Sequence, residues 1–352
     1  MKIEQLETPA LFVDLDVLER NHQAMMQFLS PLGVALRPHY KSHKTTWFAH
    51  YQVEHGAKGI TCAKLSEAED LALSGVGDIL IANQVVEKSK IARLATLAGW
   101  CRLAVCVDDE QNIRDLNAAA AWQGSTIRVL VEYEVGMNRC GAAENSRVVA
   151  LAKLVQECPH LELMGIQAYA GQLSHEENYE TRRRQAEKTE EALKTLKAEW
   201  LAAGLPLQEI SGASTGTVEF RRKGTEYTEV QAGSYLFMDE AYERLHVSFE
   251  HSLFMLATVI SAKKGLFVTD AGVKSLGVDQ GPPSAADYPG APVNMSEEHC
   301  TVTAEHHQKI GDKLRLIPGH CCTTINLNNT VYLVRGGEVV DRLFVTSRGK
   351  SL

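Results

Sequence analysis

The stretch Gly33-Val34-Ala35-Leu36-Arg37-Pro38-His39-Tyr40-Lys41-Ser42-His43-Lys44 runs from a short apolar segment straight into two histidines and two lysines, and a helical pattern starts near Thr45. The apolar segment reads as a strand, so the basic residues fall at its C-terminal end. Open α/β sheets and α/β barrels place their chemistry at that end. Crowding by other cations lowers the pKa of a lysine and makes its amine nucleophilic, which is what a Schiff base requires. The same residues would also make a basic surface turn, so the reading depends on the rest of the chain.

Outward from this segment, strand-like and helix-like runs alternate at even spacing. Strand patterns cover 34–37, 59–62, 79–82, 103–107, 127–132, 163–168, 209–211 and 229–231, and helical periodicity fills the gaps, as at 65–74, 88–97, 146–156 and 178–203. Eight strands alternating with helices fit a (β/α)8 TIM-like barrel, although the last two are weak and leave an open doubly wound sheet possible. After about Ser248 the texture changes to short β-rich runs at 253–261, 266–269, 301–304, 313–317, 330–334 and 339–345, separated by Gly, Pro, Asn and Asp. This reads as a C-terminal antiparallel β domain. The expected division is a barrel over 1–247 and a β domain over 248–352, with the strand at about 8–16 free to pack with either.

Composition narrows the function. The 352 residues carry a formal charge of −8 with no basic stretch, which argues against nucleic acid as a partner. The eight cysteines (Cys62, Cys101, Cys106, Cys140, Cys158, Cys300, Cys321 and Cys322) are scattered, as in a reducing compartment rather than a disulfide framework. No signal-peptide pattern or membrane-length apolar run occurs, so a cytoplasmic protein with no membrane partner is expected. Neither Gly-x-Gly-x-x-Gly after the first strand nor a P-loop pattern is present, which weakens nucleotide binding.

Three motifs could carry chemistry. In Gly136-Met137-Asn138-Arg139-Cys140-Gly141, an arginine between glycines at a strand end can approach a phosphate, phenolate or carboxylate; the alternative is an ordinary turn with a solvated arginine. In Ser211-Gly212-Ala213-Ser214-Thr215-Gly216-Thr217, small residues leave backbone N–H groups free for an anion nest. Barrels commonly hold phosphate after strands seven and eight, and Ala232-Gly233-Ser234-Tyr235 would complete the cradle. In Pro318-Gly319-His320-Cys321-Cys322, continued strand geometry would place His320 and Cys322 on one face, a pair suited to Zn²⁺ with open positions. Buried cysteines are also common core residues. Gln167 and Tyr169 end the sixth strand of the barrel pattern, and Asp270, His306 and His307 have plain structural readings.

Taken in order, Arg-Pro-His-x-Lys-x-His-Lys, Gly-Met-Asn-Arg-x-Gly, a Ser/Thr-Gly loop, Gly-x-Tyr, Asp-Ala-Gly and a late His-x-Cys resemble the metal-dependent D-amino-acid lyases of the alanine-racemase-like (fold type III) pyridoxal-phosphate enzymes. The resemblance runs from about Thr8 to the C-terminus. It implies a barrel followed by a β domain, a homodimer, and pyridoxal 5'-phosphate held as a Schiff base on Lys41, with His39 beside it. It places Arg139 near the cofactor's phenolate, and Gln167 or Tyr169 near the pyridine ring. Ser214, Thr215, Gly216, Gly233, Ser234 and Tyr235 would lie about the phosphate. His320 and Cys322 would bind a divalent metal beside the substrate's β-hydroxyl; sulfur favours zinc over manganese or magnesium. Aldolases of the family mostly carry His-x-Asp and dehydratases His-x-Cys, so Cys322 favours elimination of water to a 2-oxo acid and ammonia. Gln167-Ala168-Tyr169 is closer to the hydroxyaspartate-acting members.

Retro-aldol cleavage of a D-3-hydroxy amino acid to a glycine-type amino acid and an aldehyde or oxo acid is the nearest rival. Racemisation would need a second base and no metal. A non-catalytic pyridoxal-phosphate-binding protein of this barrel type would lack the β domain. A zinc hydrolase would need further strand-end ligands, of which the barrel pattern offers no clear set.

Overall fold

The strand Ala10–Asp14 (β1) does not join the barrel, although the helix Leu15–Leu29 follows it at once. The barrel sheet instead consists of β2 (Ala35–Leu36), β3 (Ile60–Cys62), β4 (Asp78–Ile81), β5 (Arg102–Val107), β6 (Ile127–Glu132), β7 (Leu161–Ala168), β8 (Glu209–Gly212) and β9 (Glu229–Val230). These eight are ordered β2-β9-β8-β7-β6-β5-β4-β3, and every pairing is parallel. A parallel bridge between His39 and Thr61, just past β2 and within β3, links the two ends of the sheet. The computed structural model describes residues 1–352. By contacts the chain divides into two compact units, one of residues 26–41, 48–233 and 350–352, the other of residues 1–25, 42–47 and 234–349.

Period-2 alternation decides what each barrel strand shows to its two faces. Ile79, Ile81, Leu103, Val105, Val107, Val129 and Val131 join one large cluster with the helix residues Leu94, Leu116, Leu151 and Leu193. Leu80, Ala104, Cys106, Leu130 and Met164 form a separate small cluster on the other, inward face. The long helix Tyr179–Ala202 is rich in charged residues, yet Leu193, Leu196 and Trp200 lie on one stripe and are fully buried. Each such burial contributes about 1.5–3 kcal/mol. Asn178 starts this helix by accepting from the Thr181 N–H, and Asp109 caps the helix Glu110–Gln123 in the same way.

The second unit contains β10 (Leu253–Lys263), β11 (Leu266–Thr269), β12 (Ser284–Ala285), β13 (Val293–Met295), β14 (Cys300–Thr303), β15 (Lys313–Ile317), β16 (Thr330–Arg335) and β17 (Glu338–Phe344). With β1 they make a nine-stranded sheet whose main path is β13-β14-β11-β10-β1-β16-β17. The sheet is not wholly antiparallel, because β1 pairs antiparallel with β10 and parallel with β16. Phe12 of β1 stacks on Phe254 of β10 at 5.4 Å between centroids, within a cluster that includes Leu6, Leu256 and Val334.

The segment after β15 departs from its expectation. Strand geometry does not continue through His320 and Cys322; Cys321–Leu327 is a helix, and His320 is its extended N-cap residue. No helix in the structure is long and apolar enough to cross a membrane.

Candidate active site

The polar floor of the barrel follows from the same alternation. Glu209 and Ser211 of β8 face inward, as do Glu229 of β9 and Gln231 just beyond it, because Ile210 and Val230 take the outward positions. Parallel register sets Ser211 beside Glu229 and Gln167 of β7 beside Ser211. Near the strand starts, Glu229 accepts from Arg37 Nε at 2.9 Å and from Lys58 Nζ at 2.9 Å. Arg37 also reaches Asp78 at 2.5 Å and Glu209 at 3.5 Å. Burial alone would push the Glu229 carboxyl up, but Arg37 and Lys58 hold it below the usual carboxylate range. Burial likewise opposes the Lys58 charge, and Glu229 and Glu209 more than offset that, so Lys58 sits above its ordinary value.

Above this floor a cavity of about 160 Å³ is lined by His39, Lys41, Asn83, Arg139, Gln167, Tyr169 and Gln231. Lys41 lies in the short 3-10 turn Tyr40–Ser42, and its backbone N–H donates to His39 Nδ1 at 3.3 Å. Pro38 and His39 continue the edge of β2, since the carbonyl of Pro38 accepts from Thr61 N and the His39 N–H reaches the carbonyl of Ala232. Lys41 Nζ lies 5.7 Å from the centroid of the Tyr169 ring, and Arg139 Cζ lies 5.7 Å from the same centroid. One aromatic ring thus has two cations within reach. Tyr169 is held by its hydroxyl, 3.0 Å from Ser174 Oγ, and by the close approach of Gly171, where a Cβ would come 2.8 Å from the ring.

The loop carrying Arg139 is shaped by carboxylates. Glu134 Oε1 accepts from the N–H groups of Gly136 and Asn138, and Asp108 Oδ2 accepts from that of Gly141. Glu132, at the end of β6, accepts from Gln84 Nε2 at 2.5 Å. Burial raises its pKa against the opposing pull of that hydrogen bond and of Arg139.

The loop after β8 turns at Ala213, a non-glycine residue with φ of 58°. Gly212 is required just before it, because a Cβ there would meet the Ala168 carbonyl oxygen at 2.0 Å. Ser214 and Thr217 close the turn on each other, whereas the N–H of buried Gly216 meets no acceptor. The N–H of buried Gly233, after β9, is also without one. Buried orphan donors in loops after the seventh and eighth barrel strands fit a phosphate, as the donor set around Lys41 fits an aldehyde-bearing ring. Ser214 and Thr215 are buried in the same turn.

In the other unit, His320 Nδ1 lies 2.7 Å from Asp279 Oδ2, and Thr323 Oγ1 donates to Asp279 Oδ1 at 2.6 Å. This commits Nδ1 to Asp279, the kind of support found behind a metal-bound imidazole. Burial would lower the His320 pKa, but Cys322 and Asp279 together push it up to about 9. Cys322 Sγ lies 3.9 Å from Ser234 Oγ. The two expected ligands therefore do come together, through an N-cap and the first helical turn rather than along a strand. No group of three or more His, Cys, Asp or Glu side chains is arranged to hold a metal, so an ion at this pair would keep open positions. Tyr235 is fully buried, its hydroxyl 2.9 Å from His22 Nδ1.

The sequence reading did not single out Asn83, Glu229, Gln231 or Asp279, and it noted Ser211 only as the start of the loop motif. Gln231 stood two residues before the noted Gly233 and carried a usable signal. Asp279 lies 41 residues before its partner and carried none. Of the residues with plain readings, Asp270 ties Thr8 to the Thr258 backbone, and His306 Nε2 lies 2.8 Å from the Lys263 carbonyl and 3.0 Å from that of Leu266.

Comparison with known proteins shows the family and the fold. The model for the alanine racemase N-terminal domain matches residues 13–241, and that for a serine dehydratase domain matches 252–334. The chain is 38% identical to 3-hydroxy-D-aspartate aldolase of Paracoccus denitrificans, over 99% of this chain and 94% of that protein. It is 28% identical to D-threo-3-hydroxyaspartate dehydratase of Delftia sp., over 91% and 92%, and a variant of that enzyme has been solved in a metal-free form. The crystal structure of D-threonine aldolase from Filomicrobium marinum superposes with a TM-score of 0.97 at 37% identity, covering 100% of this chain and 98% of that one. The chain belongs to the alanine-racemase-like, fold type III family in which an alanine racemase N-terminal domain is joined to a serine dehydratase domain, the family of these D-3-hydroxy amino acid aldolases and dehydratases.

Proposed function

We propose that the protein is a pyridoxal-phosphate- and divalent-metal-dependent lyase that cleaves D-3-hydroxy amino acids by retro-aldol reaction, giving a glycine-type amino acid and an aldehyde or oxo acid. The observation that carries the cofactor reading is the one pocket lined by Lys41, Arg139 and Tyr169, with both cations 5.7 Å from the ring centroid. Cleavage is favoured over elimination because the aldolase is 38% identical and the dehydratase 28%. Elimination of water remains the second reading, carried by Cys322 in the His-x-Cys pattern.

In this reading Lys41 would hold the cofactor aldehyde, Arg139 its phenolate, and Gly216 and Gly233 its phosphate, with Ser214 and Thr215 closing the cradle. When bound, the cofactor supplies an electron sink for charge developing at the substrate Cα. In retro-aldol cleavage the β-hydroxyl loses its proton as the Cα–Cβ bond breaks and Cα gains one, which Lys41 Nζ would deliver. Tyr169 keeps water from one side of that nitrogen and fixes its direction. His320 Nε2 and the Cys322 sulfur would hold a divalent ion, zinc by the softness of sulfur, and the ion would supply Lewis acidity toward a hydroxyl oxygen. Asp279 keeps the imidazole in the ligating tautomer. The protein is read as a homodimer, which sedimentation would check.

The test is product analysis with D-threonine, D-3-hydroxyaspartate and D-serine, with and without a chelator. Glycine plus acetaldehyde or glyoxylate, lost on chelation, supports cleavage. A 2-oxo acid plus ammonia would replace it with elimination.

A further inference from the structure

The floor of the Lys41 pocket has a fixed hydrogen-bonding sense. Ser211 Oγ lies 2.6 Å from Glu229 Oε1. An ionised carboxylate only accepts, so the serine must donate to it. Ser211 Oγ then accepts from its other neighbour, Gln231 Nε2, at 2.8 Å. Gln231 Nε2 spends its second hydrogen on Gln167 Oε1 at 2.7 Å, and Gln231 Oε1 takes one hydrogen from Gln167 Nε2 at 3.3 Å. Every donor in the chain is now spent except one N–H of Gln167. Gln167, Gln231, Ser211 and Glu229 are 0–3% exposed, so water does not rescue an inverted arrangement. Glu229 itself is held ionised between Arg37 and Lys58.

We propose that Glu229 and Ser211 are positioning residues that set the polarity of the Gln231–Gln167 amide pair, leaving an N–H donor for the pocket so that the cofactor's ring nitrogen is bound as the free base. This rests on the pyridoxal-phosphate reading above. The ring nitrogen is para to the aldehyde carbon, so a ring tethered at Lys41 turns that nitrogen away from the lysine. A free-base nitrogen accepts the Gln167 N–H; a pyridinium would bring a second donor against it. No carboxylate lines the cavity to hold a ring proton, and both ionised side chains there, Lys41 and Arg139, are cations. A weaker electron sink follows, and it makes the divalent ion more important for breaking a bond at Cβ.

The experiment is ¹⁵N NMR at neutral pH of the holoprotein reconstituted with pyridoxal phosphate labelled at the ring nitrogen. The wild type should give the free-base resonance. Ser211→Thr, which keeps the hydroxyl, should retain it. Ser211→Ala uncouples the amides from Glu229 and lets the pair invert, so its resonance should move towards the pyridinium position. A pyridinium signal in the wild type, or an unmoved free-base signal in Ser211→Ala, would overturn the inference while leaving the cofactor reading intact. A protein that binds no label, with no visible band and no borohydride-reducible attachment, would overturn both.

Discussion

Lys41 Nζ and the centroid of the Tyr169 ring are 5.7 Å apart, with Arg139 at the same distance from that ring. The two cations come from loops after β2 and β6, and the ring from the end of β7. Three separate strand ends therefore converge on one point, which is how a barrel builds a site from distant sequence.

Removing the ring should cost cofactor affinity. A cation over an aromatic face contributes about 0.5–2 kcal/mol. Tyr169→Leu should weaken binding of pyridoxal phosphate by roughly tenfold, each tenfold being about 1.4 kcal/mol, whereas Tyr169→Phe should stay near wild type. Titration of the apoprotein with the cofactor, followed by protein fluorescence, measures both. Equal losses in the two variants would mean that the hydroxyl contact to Ser174 matters more than the ring.

Metal binding should follow His320, Cys322 and Asp279. His320→Ala and Cys322→Ala should abolish stoichiometric metal and activity together, while pyridoxal phosphate remains attached. Asp279→Asn leaves both ligands in place but loosens the imidazole, and should weaken metal binding by about 10–100-fold. Metal analysis after dialysis against graded chelator reads all three. Unchanged stoichiometry in the His320 or Cys322 variant would remove the pair from the site.

The buried charges under the pocket make stability depend on pH at both ends. Glu229 is held below its ordinary range, so its contribution is present above the unfolded carboxyl pKa and is lost as pH falls through the folded value. Lys58 is held above its ordinary range, so its contribution is present below the unfolded lysine pKa and is lost as pH rises through the folded value. Lys58→Met should flatten the alkaline loss of Tm. Arg37→Met strands Glu229 without its closest guanidinium and should destabilise by about 3–5 kcal/mol at neutral pH. Denaturant unfolding of these variants between acid and alkaline pH measures both effects.

The strands that were easiest to read in the sequence were β5 and β6, because Leu103-Ala104-Val105-Cys106-Val107 and Ile127–Glu132 are apolar on both faces for most of their length. Glu209-Ile210-Ser211 and Glu229-Val230-Gln231 looked weak for a physical reason. Their polar residues point inward and satisfy one another, so the usual sign of a solvent-facing strand marks here the floor of the site. The helix Cys321–Leu327 was missed because Cys, Thr and Ile are poor helix formers and His320 makes no side-chain cap. Its first N–H is capped at 2.7 Å by Asp239 Oδ2, 82 residues earlier, and no local pattern announces that. Lys41, Arg139, Gln167 and Tyr169 were legible as strand-end residues. The hydrogen-bonded support of Gln167 through Gln231, Ser211 and Glu229 depends on sheet register, which the sequence does not display.

Cofactor attachment at Lys41 is the central claim, and reduction of the holoprotein with borohydride, followed by peptide mass mapping, tests it most directly. The account predicts a single pyridoxyl group on the peptide containing Lys41, and loss of the visible band in Lys41→Ala. A pyridoxyl group on Lys44 or Lys58, or a visible band that survives in Lys41→Ala, would contradict it.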